Sequence, residues 1–127
     1  VTEQQRLWQA TQSNPQRIGS GVIIGDHVFM ANAGPGYFQC LELATGKELW
    51  RERGEGKDHW GAMILAEGRL YVTNQAGTTT VFKPNPEKFE LIATNAMGEA
   101  SNSTPAFSDG DIFLRTNQRL YCVRAKQ

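Results

Sequence analysis

Three phrases of this sequence are near-copies at a fixed interval. GDHVFMAN at 25–32, EGRLYVTN at 67–74 and DGDIFLRT at 109–116 each begin 42 residues after the one before. The same shift places Val22 on Ile64 and Ala106, Phe29 on Tyr71 and Phe113, and Asn32 on Asn74 and Thr116. With two residues removed from the third copy's turn, Cys40, Phe82 and Cys122 fall into one slot, expected to face the interior. RLWQ at 6–9 precedes ELWR at 48–51 by the same 42. Such a chain builds one supersecondary unit several times and buries each unit against the next.

The unit is made of strands. SGVII, HVFMAN, YFQCLEL and KELWRE are the strand candidates of the first copy, and no long stretch has the 3.6-residue period of a helix. Gly25-Asp26, Glu67-Gly68 and Asp109-Gly110 stand at one tight hairpin, which needs residues tolerant of positive φ. Val28, Phe29 and Met30 are apolar in succession, as in a strand covered on both faces. Strand-rich repeats of about 40–45 residues are propeller blades. The predicted fold is therefore all-β, with three four-stranded antiparallel blades in a single partial-propeller domain over 1–127. An outer strand at 1–10 precedes blades at 17–52 and 59–94 and an incomplete blade at 101–127, which lacks its fourth strand. In a ring, the N-terminal strand completes the last blade.

Bulk composition excludes several function classes. Thirteen Lys plus Arg balance thirteen Asp plus Glu, so no net field draws the chain to nucleic acid or anionic lipid. The longest apolar runs fall far short of the roughly 20 residues that span a bilayer, so no membrane insertion is expected. The opening Val1-Thr2-Glu3 is no signal peptide, so an export segment was removed or never included. Two cysteines make no disulfide framework.

The stretch CLELATGKELWRE carries a family resemblance. It is similar to the outer-strand signature of quinoprotein-like (PQQ-repeat) β-propellers, with Thr45, Gly46 and Lys47 in the turn and Trp50 closing the blade. Glu42 stands where that family usually has Asp, Trp8 repeats the closing position, and Ile92 replaces Trp in the third instance of it. NPQRIGSGV, LYVTNQAGTT and FLRTNQRLYCV look like C-terminal blades of bacterial exported proteins of this type. The resemblance implies a periplasmic or secreted protein. It also raises a quinone-dependent dehydrogenase, in which Ca²⁺, a catalytic Asp and commonly a vicinal Cys-Cys disulfide serve the cofactor. Cys40 and Cys122 are not adjacent, so they read as reduced core residues, and no cofactor is expected.

Other chemical motifs are incomplete. Gly56-Lys57 lacks the Gly and the Ser or Thr of a phosphate loop, and GSG at 19–21 is not a nucleophile elbow. His27 and His59 have no carboxylate or Cys at metal-ligand spacing. Asp109-Gly110-Asp111 is a turn rather than a Ca²⁺ loop. No catalytic or metal-binding residues are assigned. The copies disagree most just before each inner strand, where they read NPQRIG, GKDHWG and GEASNS. In a propeller this connection lies at the channel mouth, making Arg17, His59, Trp60 and Asn102 the candidate binding residues. The structural set is Trp8, Trp50, Gly46, Cys40, Phe82 and Cys122, with both tryptophans largely buried.

Two function classes follow. One is a non-catalytic propeller module that binds a protein, peptide or glycan. The other is the C-terminal part of a quinoprotein-type dehydrogenase whose catalytic blades lie elsewhere. Three blades cannot close a ring when propellers have about 4–8. The expected partner is a second copy in a ring-closing dimer, or the missing blades of a longer chain.

Overall fold

The computed structural model describes residues 3–9, 19–34, 36–55 and 57–124. Among the described residues, eleven strands form three antiparallel sheets. The first runs β1 (Val22–Ile24), β2 (His27–Ala31), β3 (Tyr37–Glu42) and β4 (Glu48–Arg53) in sequential order. The second repeats it with β5 (Ile64–Ala66), β6 (Arg69–Thr73), β7 (Thr78–Lys83) and β8 (Glu90–Ala96). The third has only β9 (Ala106–Ser108), β10 (Asp111–Arg115) and β11 (Leu120–Arg124). Among the described residues no helix is long and apolar enough to cross a bilayer.

Each phrase in the repeat has a mechanical reason. The β5–β6 and β9–β10 hairpins turn on Glu67 and Asp109 with positive φ, followed by a glycine that also has it, as a two-residue type I′ connection requires. At the far end of the second strand, Asn32, Asn74 and Thr116 close the next turn with their side chains. Asn32 Oδ1 accepts from the Tyr37 amide at 3.0 Å, Asn74 Oδ1 from Thr78 at 3.0 Å, and Thr116 Oγ1 from Arg119 at 2.9 Å. These turns shrink by one residue per copy, spanning 32–37, 74–78 and 116–119 between the paired residues that flank them.

The shrinking turns correct the sequence register. Phe29 pairs with Cys40, Tyr71 with Val81, and Phe113 with Cys122. The slot shared by the two cysteines thus holds Val81 in the middle copy, and Phe82 is the counterpart of Leu41. Trp50 lies opposite Cys40, and the residue opposite Val81 is Ala93. Ala93, not Ile92, therefore stands in the place of the tryptophan. Ile92 falls into the irregularity of β8.

Burial follows each sheet's neighbours. The middle sheet is sandwiched, so Leu70, Tyr71, Val72 and Thr73 are all buried, whereas β2 in the first sheet is only partly covered. Phe29, Phe38, Cys40, Leu70, Val72 and Phe82 form the core between the first two sheets, with Trp50 and Phe89 packed against it. Phe89 stacks parallel on Phe38 at 5.4 Å, although the sequence around it reads as a turn. Burial pushes the Cys40 thiol up to about 11. Cys122 departs from expectation and is exposed, on a strand with no fourth strand beside it among the described residues.

The N-terminal segment also differs from expectation. Glu3–Gln5 is a 3₁₀ turn and residues 6–9 make no strand pairing, where an outer strand at 1–10 is expected. Trp8 and Trp50 are half-buried rather than largely buried, yet both perform the same task. Trp8 Nε1 donates to Leu43 O at 2.7 Å, and Trp50 Nε1 donates to Asn85 O at 2.8 Å. Each indole latches onto the turn between the last two strands of the following sheet. Gly46 is the seat of the first latch, since a Cβ there would come within 2.5 Å of the Trp8 ring.

Candidate functional site

The loops leading into β1, β5 and β9 run side by side. Met63 N donates to Ser20 O at 3.0 Å and Ala62 N donates to Thr104 Oγ1 at 2.8 Å. The first strands of the three sheets therefore converge, and residues at these loops share one rim. Trp60 and Asn102 lie on neighbouring loops of this rim. Asn102 is exposed and Trp60 half-buried. Trp60 Nε1 is fully enclosed and has no hydrogen-bond partner among the described residues. Arg17 lies outside the described residues.

His59 sits elsewhere than on the rim surface. It is 1% exposed, its ring packs against Phe38 at 5.0 Å between centroids, and it bridges to Asn74. Its backbone N–H and its Nδ1 both meet Asn32 O, at 3.4 and 3.3 Å. This side chain bolts the first sheet to the second and is closed to a ligand. Ser101 shares only the backbone part of this in the next copy. Its amide reaches back to Gln75 O of the second sheet at 3.1 Å, whereas its Oγ donates to Arg115 O of its own sheet at 2.7 Å. The inter-sheet bond common to both copies is made by the backbone amide, which leaves the side chain to vary.

Desolvation lowers the His59 pKa below the usual imidazole value, against smaller opposing effects of the Asn32 carbonyl and the Asp58 carboxylate. A depressed imidazole supports the fold above the unfolded value of about 6.5, and that support is lost as pH falls through the folded value. Thermal stability should thus decline from about pH 6.5 downward. His59→Gln should start less stable and show a flatter decline over that range, measured by melting temperature against pH. An unchanged slope would remove His59 as the cause.

Other polar groups also act between sheets. Glu99 accepts from Thr116 Oγ1 at 2.6 Å and Tyr121 OH at 2.9 Å and pairs with Arg119, tying the end of the second sheet to the third. Asp111 and Arg124 join β10 to β11 through two bonds of 2.5 and 2.6 Å. The Arg124 guanidinium holds the Asp111 carboxyl below the usual range. A groove of about 510 Å³ between the second and third sheets is lined by Tyr71, Ala93, Phe107, Asp109 and Arg124. It lies where Ala93 replaces the latching tryptophan.

No protein-family model matches this sequence, and no curated protein matches it. Solved structures do resemble the fold. BamB from Moraxella catarrhalis superposes with a TM-score of 0.61 at 11% identity, over 83% of this chain and 31% of BamB. A europium-containing methanol dehydrogenase gives 0.66 at 15% identity, over 86% of this chain and 22% of the dehydrogenase. The computationally designed Ika4 protein gives 0.56 at 9% identity, over 92% of this chain and 96% of Ika4. The chain thus spans less than a third of the two natural proteins. Their likeness, with three successive antiparallel sheets that converge on their first strands, identifies the fold as all-β, built of β-propeller blades.

Proposed function

We propose that this chain is a non-catalytic binding module of the quinoprotein-like propeller type, acting in an exported compartment and taking its ligand at the rim of Trp60 and Asn102. The observation that carries this reading is the half-buried Trp60 indole beside the exposed Asn102 side chain on the adjoining loop. An indole face beside an amide side chain suits a peptide or a glycan. In the quinone-dependent alternative, the catalytic residues would lie on other blades of a longer chain.

Calorimetric titration with acetylated tripeptides and with short oligosaccharides tests the reading. Trp60→Ala removes the indole face, and it should weaken the binding by about tenfold or more, as truncation of a tryptophan contact does. Binding that ignores this change would move the ligand away from the rim. Titration with pyrroloquinoline quinone and Ca²⁺ should leave the quinone absorbance unchanged; a Ca²⁺-dependent shift would reopen the dehydrogenase reading.

A further inference from the structure

Among the described residues, one strand position of the repeat is unfilled and one segment pairs with no sheet. β3 and β7 are each covered on their outer side, by β4 and β8, whereas β11 has no outer partner among the described residues. Equivalent positions show the difference directly. Cys40 is 0% and Val81 5% exposed, but Cys122 is exposed; Leu41 is 5% and Phe82 0% exposed, but Val123 is 44%. An open strand of this kind presents free backbone donors and acceptors to any extended segment that can match it.

Residues 6–9 are the segment that can be placed beside it, and they belong to no strand. Trp8 grips the 43–46 turn of the first sheet as Trp50 of β4 grips the corresponding turn of the second. Relative to the first sheet, residues 6–9 therefore occupy the place of an outer strand belonging to a preceding sheet. That position pairs with no strand among the described residues. Leu7 at 88% and Leu120 at 71% are the two most exposed large apolar side chains described, and they lie on these two unsatisfied elements.

The geometry points to a second copy of this chain as the occupant: residues 6–9 of one copy add to β11 of the other as its fourth strand, and the exchange is reciprocal. Register follows from the first sheet, where Trp50 faces Cys40, Arg51 faces Gln39 and Glu48 faces Leu41, with Leu49 taken up by the bulge. Transferred by repeat equivalence, Trp8 faces Cys122, Gln9 faces Tyr121 and Arg6 faces Val123, with Leu7 in the bulge. Main-chain bonds set the register, and the Trp8 latch carries the first sheet of one copy onto the third of the other. Two copies of these three sheets make six blades, inside the usual range of about 4–8, and reciprocal exchange between two copies has two-fold symmetry.

The 127-residue chain should sediment as a dimer at low micromolar concentration. Gln9→Cys with Tyr121→Cys, made in a Cys122→Ser background, should give on mild oxidation a covalent dimer on a non-reducing gel. A monomer in solution, a disulfide closed within one chain, or no cross-link in a folded variant would overturn the proposal. The unaltered protein supplies an independent reading. Alkylation of native Cys122 should slow at least tenfold between nanomolar and micromolar protein as Trp8 of the second copy covers it. A rate independent of concentration would count against the exchange. Trp8→Gln should restore fast alkylation at micromolar concentration with the β-sheet circular dichroism unchanged, and retained protection would also overturn it.

Discussion

Trp50→Ala lowers the stability of the chain by about 3–4 kcal/mol, the range of large aromatic truncations in packed sites. Its ring lies 6.2 Å from Phe29, 6.4 Å from Phe82 and 5.7 Å from Phe89, with the last two contacts edge-on. Its Nε1 also holds Asn85 O at 2.8 Å. Truncation therefore removes aromatic packing on the core between two sheets and the hydrogen bond that sets their spacing. Aromatic pairs contribute about 0.5–1.5 kcal/mol each beyond their area, and the hydrogen bond about 1 kcal/mol. A shift of this size lowers the melting temperature by about 10 °C or more for a domain of this length. Trp50→Phe retains much of the packing and loses the bond, so it should fall between wild type and Ala. An unchanged melting temperature for Trp50→Ala would mean that the first two sheets are not joined through this residue.

Gly77→Ala is the second large effect, and its cause is backbone rather than side-chain loss. Gly77 has φ +81°, and a Cβ there would fall against the carbonyl oxygen of Glu99. The left-handed conformation alone costs an L-residue about 1–2 kcal/mol. The clash also displaces a segment whose Glu99 side chain holds Thr116, Tyr121 and Arg119 of the third sheet. A total of about 2–4 kcal/mol is expected. Gly68→Ala is the matched control, because Gly68 has φ +71° and its added Cβ meets nothing within 4 Å. It should lose only about 1 kcal/mol. Chemical denaturation compares the two. Equal losses would show that the Gly77–Glu99 approach does not join the second sheet to the third.

The 42-residue interval made the strand content and blade architecture legible, because three copies must satisfy the same packing and turn rules. Strand register was less legible. The turns at 32–37, 74–78 and 116–119 change length, and an alignment of apolar letters cannot place a gap between similar residues such as Val81 and Phe82. Phe89 was hidden by the prolines and charges around it, although it packs with three aromatic rings. Asn32, Asn74 and Thr116 were visible as a repeated polar position, the signal of side chains that close turns. At the rim, variation between copies was read as freedom from structure. For His59 that inference failed, because its backbone amide makes the inter-sheet bond and its buried imidazole packs on Phe38 and Asn32 O, so the position varies without being open. Trp60 and Asn102 remain on adjoining loops because the hydrogen bonds of residues 61–63 and 103–104 bring those loops together. Exposure of Cys122 lay beyond any repeat pattern, since a pattern gives the slot and not whether a neighbour fills it.

The central claim is that three equivalent antiparallel sheets repeat along the chain with turns shortened by one residue at each step. Cross-strand backbone proton contacts in an isotopically labelled sample test it most directly. The strand register predicts contacts between Phe29 and Cys40, Tyr71 and Val81, and Phe113 and Cys122. It further predicts contacts that place Trp50 opposite Cys40 and Ala93 opposite Val81. Contacts pairing Tyr71 with Phe82, or strand contacts joining β4 to β8 in one continuous sheet, would contradict the blade architecture.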